Sequence, residues 1–166
     1  LVWPYLKHVL PEEDIPAYKY LHMKHALSFI PYGCAADEFQ EMIYDHPEMT
    51  PEERRKLWKK LEREYTPWRH FETDTFFGKG RMWQRQTHIY RWPFYYIDYV
   101  LAQVCALELH VMDEESHEKA WECYKNIIKL SGTKGFNDVV TSAGLPSPFE
   151  EGVIEELAKK VAYSIV

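Results

Sequence analysis

The stretch GRMWQRQTHIYRWPFYYIDYVLAQ, Gly80–Gln103, decides how the rest of this chain is read. It divides into a polar, aromatic loop ending near His88–Trp92 and an apolar segment that begins after Pro93. Proline suits the first turn of a helix, where its φ is preset and its missing N–H would have no partner, so a helix is expected to open at Pro93. Tyr95, Tyr96 and Tyr99 then fall in the first two turns. Residues three and four apart share a helix face, which lets the three phenols lean toward one region, with His88 arriving at the same end from the loop. The apolar segment, Phe94–Met112, is interrupted by Asp98, Gln103, Glu108 and His110, so it reads as a helix inside a bundle and not as a membrane span.

Outward from that stretch, the chain reads as helices separated by proline and glycine, with no strand pattern. Tyr20, Met23, Leu27 and Ile30 recur at helical spacing, and Pro31 is expected to kink or break that helix. A second segment with Ala35, Phe39, Met42 and Ile43 on one face stops at Asp45-His46-Pro47. Thr50-Pro51-Glu52-Glu53 has the form of a capping box, with Leu57, Trp58, Leu61 and Tyr65 as the buried stripe behind it. Thr66–Gly80 reads as an aromatic-rich loop. Ser116 is expected to cap a helix with Trp121, Tyr124 and Ile128 inward, ended by Gly132, and a short helix around Phe136–Ala143 ends at Gly144. Ser147-Pro148-Phe149-Glu150 reads as a second capping box, opening a last helix with Val153, Ile154, Leu157 and Val161 inward. The fold class is therefore all-α, a helical bundle, with residues 1–166 as one domain.

Composition narrows the function classes. A chain of 166 residues with 46% apolar and 16% aromatic residues can bury a substantial core. The formal charge of −6 argues against a polyanionic partner, since nucleic-acid binding needs clustered positive charge. The one basic helix face, Arg54 to Arg63, is interleaved with Glu52, Glu53, Glu62 and Glu64, the pattern of a solvated surface. Cys34, Cys105 and Cys123 are odd in number and far apart, which fits neither a disulfide framework nor a cysteine zinc site and points to the reducing cytoplasm. No signal segment leads the chain, and the apolar opening Leu1-Val2-Trp3-Pro4 suggests a start partway through a larger structure.

No nucleotide-binding, hydrolase or HExxH motif is present. Two metal readings are weak. His22 and His25 lie three apart, and Glu114-x-x-His117 has di-iron spacing, but such a bundle needs two of these motifs and further glutamates. Packing suffices for the histidines, and an acid near a helix start suffices for Glu114. The grouping of His88 with the tyrosines has two readings: aromatic packing with each hydroxyl bonded, or neutral donors aimed at a developing oxyanion.

Four segments carry a resemblance to a known family: HMKHALSFIPYGCAADEFQ at His22–Gln40, YDHPEMTPEERRKLWKKLEREYTP at Tyr44–Pro67, WQRQTHIYRWPFYYIDYVLAQVCALEL at Trp83–Leu109, and SPFEEG at Ser147–Gly152. They resemble the oligoendopeptidase F-like branch of the thimet oligopeptidase family of zinc metallopeptidases, and FYYIDYVLAQ at Phe94–Gln103 is the most specific run. VWPY at Val2–Tyr5 resembles the segment just after the helix bearing that family's third zinc ligand.

The resemblance implies the C-terminal part of a mostly helical oligopeptide-cleaving enzyme whose HExxH-bearing, zinc-binding part would precede Leu1. By position, His88, Tyr96 and Tyr99 match the family's catalytic histidine and tyrosines, and Tyr95 matches a substrate-binding position. No residue here corresponds to a zinc ligand, so the chain alone is expected to be inactive, with oligopeptide substrate and the zinc-bearing part as its partners and no nucleic-acid or membrane partner. A freestanding, non-catalytic helical interaction domain is the alternative.

Overall fold

The computed structural model describes residues 1–71 and 76–163, and these are helical without a strand. Seven α-helices run in the order α1 (Ile15–Asp45), α2 (Pro51–Tyr65), α3 (His88–Arg91), α4 (Ile97–Glu115), α5 (His117–Leu130), α6 (Phe136–Ala143) and α7 (Val153–Tyr163), with short 3-10 turns between some of them. The described residues group into two compact units: residues 25–100, and residues 1–24 together with 101–166, so that α1 and α4 each contribute to both.

In the unit of residues 25–100, Pro31 does not divide α1. The helix continues through it to Asp45, as one helix where two were expected. An interior proline removes one backbone bond and crowds the carbonyl four residues earlier, at about 3 kcal/mol. Burial of Tyr32, Ala35, Ala36 and Phe39 just beyond the proline outweighs that penalty, at about 1.5–3 kcal/mol for each large apolar side chain. Helix α2 starts as its sequence predicts: Glu53 N–H donates to Thr50 Oγ1 at 3.3 Å, Thr50 N–H donates to Glu53 Oε2 at 2.7 Å, and Pro51 takes the first turn. Trp58 and Leu61 are buried, with Leu57 and Tyr65 partly so.

These two helices close on one aromatic core. Phe39 meets Trp58 edge-on at 5.3 Å and Trp83 at 4.9 Å, while Tyr32 meets Trp58 at 6.0 Å. Ile89 of α3 is buried in the same cluster. Gly80 brings the connecting segment against α2. Its φ is +73°, and a Cβ there would lie 2.2 Å from the Arg55 carbonyl oxygen, so only glycine fits. On the charged face of α2, Arg55 pairs with Glu52, Arg54 donates to Pro47 O at 3.0 Å, and Lys59 donates to Gly78 O at 3.0 Å. Of the expected loop Thr66–Gly80, residues 72–75 lie outside the described residues, and Phe77–Lys79 forms a 3-10 turn.

In the other unit, Ser116 caps α5 by accepting from Lys119 N–H at 3.4 Å, and Gly144 ends α6 at φ +101°. The inward face of α5 differs from expectation. Ala120 and Cys123 are buried and Ile127 partly so, whereas Trp121, Tyr124 and Ile128 are exposed. Both rows are apolar at helical spacing, and the row of smaller side chains lets α6 approach, with Val140, Ala143 and Leu145 joining Cys123 in a core cluster. Helix α4 likewise buries a single row, Val100, Val104 and Leu107, and leaves Tyr99, Ala102 and Ala106 exposed instead of being enclosed all round.

Ser147 does not cap α7. It accepts from Phe149 N–H at 3.2 Å inside a separate turn, and α7 begins only at Val153, after Gly152 at φ +83°. Leu157 and Val161 are buried as expected, and Ile154 is exposed.

Candidate functional site

The site is assembled by two short segments of the 25–100 unit. In the first, Ile89 anchors α3 in the core, so the neighbouring His88 is held half-buried at the edge of that core. In the second, residues 92–96 form a turn before α4. Pro93 does not open the helix, because the next residue, Phe94, has φ +62° and cannot continue a right-handed helix. Tyr95 and Tyr96 therefore precede α4, and only Tyr99 lies in its first turn. The turn is held from α1 by Gln40, whose Oε1 accepts the Phe94 N–H at 2.9 Å while its Nε2 donates to Ala36 O at 3.1 Å.

The expected convergence occurs by this different backbone route. The His88 ring centroid lies 5.1 Å from Tyr96, 5.6 Å from Tyr99 and 6.4 Å from Tyr95, with the Tyr95 ring nearly parallel to the imidazole at 22°. Tyr99 meets Tyr95 at 5.3 Å and Tyr96 at 5.8 Å, both edge-on. Tyr95 and Tyr99 are 47% and 42% exposed, enough to meet a ligand, while Tyr96 is half-buried against Phe29 and Tyr32. A hydrogen bond with Tyr95 pushes the Tyr99 hydroxyl above the usual phenol range, and burial does the same to Tyr96. Both shifts favour the protonated phenol.

Two residues absent from the sequence reading complete the arrangement. Gln86 Nε2 lies 2.7 Å from His88 Nδ1, and the Tyr32 hydroxyl donates to Gln86 Oε1 at 3.3 Å. Burial pushes Tyr32 up to about 12, with Tyr96 adding to the effect and Arg69 and Arg85 opposing it. Gln86 has no motif to announce it, and Tyr32 is 54 residues from it along the chain.

Two of the histidines considered as ligands, His22 and His117, have other partners. His22 Nδ1 accepts from the Trp3 indole at 3.4 Å, and His117 Nδ1 lies 2.6 Å from Asp113 Oδ1, not on Glu114. Glu114 itself stands at the C-terminal end of α4, 3.6 Å from His110, and α5 opens at His117, so the pair straddles a helix start as expected. Among the described residues no group of three or more His, Cys, Asp or Glu could hold a metal ion. The zinc implied by the family resemblance therefore has no fit within them. The three cysteines are free, and no helix of the described residues is long and apolar enough to cross a membrane.

Fold and site together define an all-α chain that gathers neutral phenol donors around one imidazole. Among solved structures it is similar to PZ peptidase A with an inhibitor, at 39% identity and a TM-score of 0.92, over 98% of this chain and 29% of that one. It is also similar to a protein described as oligoendopeptidase F from Bacillus anthracis strain Ames, at 36% identity and a TM-score of 0.78, over 98% of this chain and 26% of that one. The chain is all-α, matches the helical C-terminal region of these two proteins and spans under a third of their length. No protein-family model matches it, and no curated protein does.

Proposed function

We propose that this chain is the C-terminal part of the catalytic domain of a zinc-dependent oligoendopeptidase, a single all-α domain forming the substrate-facing wall. The observation that carries the proposal is the meeting of His88 with three tyrosine rings within 5.1–6.4 Å, two of those phenols being held protonated. When water adds to a peptide carbonyl, negative charge grows on the carbonyl oxygen. Preorganised N–H and O–H donors stabilise that charge more than they stabilise the ground-state carbonyl, which lowers the barrier. His88, Tyr96 and Tyr99 are the donors in this reading, and Tyr95, exposed beside them, binds the substrate. Zinc would be held by residues outside this chain, on a part bearing HExxH, so the chain alone is inactive. Three cysteines, odd in number and far apart in the chain, favour the cytoplasm in this reading.

The test is kinetic, on the peptidase that carries this chain. His88→Ala and Tyr99→Phe should each lower kcat by about 10²–10³-fold, the usual size for one oxyanion donor, with zinc content and thermal midpoint nearly unchanged. Unchanged kcat at full zinc occupancy would remove both residues from the catalytic assignment. A second reading, a freestanding non-catalytic interaction domain, draws on the exposed row Trp121, Tyr124 and Ile128. It would gain if both variants left kcat intact while substitution of that row abolished a binding activity.

A further inference from the structure

The His88 imidazole has a partner that decides its chemistry. Gln86 bridges Tyr32 and His88 through the two ends of its amide, with Oε1 toward the Tyr32 hydroxyl at 3.3 Å and Nε2 toward His88 Nδ1 at 2.7 Å. An amide nitrogen only donates, so Nδ1 must accept. In a neutral imidazole the proton then sits on Nε2. We propose that Gln86, held by Tyr32, is a positioning residue that fixes His88 as the Nε2–H tautomer, leaving Nε2 as the donor to the substrate carbonyl oxygen. The inference rests on the reading of His88 as an oxyanion donor and adds what makes it one.

The clamp is built from rigid parts. Tyr32 is buried, its ring edge-on to Trp58 at 6.0 Å and to Tyr96 at 6.2 Å, and the Arg69 guanidinium lies 4.8 Å from its centroid. Its hydroxyl is therefore fixed in place and, being protonated at any ordinary pH, has a hydrogen for Oε1. The Gln86 backbone is fixed as well: its N–H donates to Trp83 O at 3.0 Å, and its carbonyl accepts from Ile89 N–H at 3.2 Å. Trp83 and Ile89 are both core residues, so the amide sits between two anchored neighbours. Reversing that amide would exchange the roles. Oε1 would face Nδ1, the proton would move there, and Nε2 would present a lone pair, a base instead of a donor.

Long-range nitrogen–proton NMR of the histidine rings in this chain reads the tautomer without catalysis. At neutral pH we expect His88 Nε2 to be protonated and Nδ1 to be bare. Gln86→Glu, which offers Nδ1 an acceptor, should move the proton to Nδ1, and Gln86→Leu should give a mixture, each with an otherwise preserved amide spectrum. In the peptidase, both substitutions should lower kcat by about 10–100-fold, the usual effect of losing the partner that orients a functional imidazole, while KM changes less than kcat. A wild-type His88 protonated on Nδ1, or a tautomer indifferent to Gln86→Glu, would overturn the assignment even if His88→Ala were slow. A full-speed His88→Ala would overturn the donor reading instead, whatever tautomer the spectrum shows.

Discussion

Replacing Gln40 by Leu tests whether a fully buried amide holds the turn that delivers Tyr95 and Tyr96. The side chain has no exposure, and its Oε1 accepts from Phe94 N–H at 2.9 Å, where Phe94 has φ +62°. Leucine fills a similar volume but offers no acceptor. If the turn keeps its shape, Phe94 N–H loses its partner at about 1–3 kcal/mol. If the turn relaxes, Phe94 leaves the left-handed region and recovers about 1–2 kcal/mol. The protein takes the cheaper route, so the net loss should be about 1–2 kcal/mol, or roughly 2–8 °C in thermal midpoint for a chain of this size. Phe94→Gly makes the left-handed turn free of strain, at the expense of the Phe94–Tyr44 ring contact at 5.2 Å. The combined variant has no strain left to recover by relaxing, so it should lose more than the sum of the two single losses, a coupling of at least about 0.5 kcal/mol measured by denaturant unfolding. Gln40→Leu with a wild-type midpoint, or strictly additive losses, would refute the reasoning.

Gly33→Ala places a Cβ 2.2 Å from Val100 Cγ2, so despite the better helix propensity of alanine it should destabilise by about 1–3 kcal/mol, and Val100→Ala should restore most of the loss in unfolding experiments. Burial pushes the Glu62 carboxyl up, against the pull of Arg69 and the Trp58 indole, so the folded state favours its protonated form. Stability from this group is therefore lost as pH rises from the ordinary carboxylate range through the raised folded value. Glu62→Gln should raise the thermal midpoint near neutral pH and flatten that decline, and a lowered midpoint there would contradict it. Trp121, Tyr124 and Ile128 form an exposed apolar row, and Tyr124 and Phe136 also line a cleft of about 460 Å³ with Ala102 and Ala106. The chain should bind ANS or self-associate in sedimentation runs at rising concentration, whereas an ANS-silent monomer would deny that surface a binding role.

What the sequence by itself determined is what acts within about one helical turn. The Thr50 capping box, the Ser116 cap and the Gly144 stop are visible because each joins residues three or four apart, and the all-helical class comes from the apolar period. The meeting of His88 with Tyr95, Tyr96 and Tyr99 was legible too, since all four lie within a dozen residues. Tertiary structure decided the rest. Pro31 stays inside α1 because the core beyond it is buried, and α5 turns its smaller apolar row inward because α6 packs there. Phe94 leaves the helix because Gln40, 54 residues earlier, supplies the acceptor for its N–H, and Tyr32 orients Gln86 across the same separation. A bond over 54 residues leaves no periodicity in the chain, and its free energy exists only after the core has brought its two ends together.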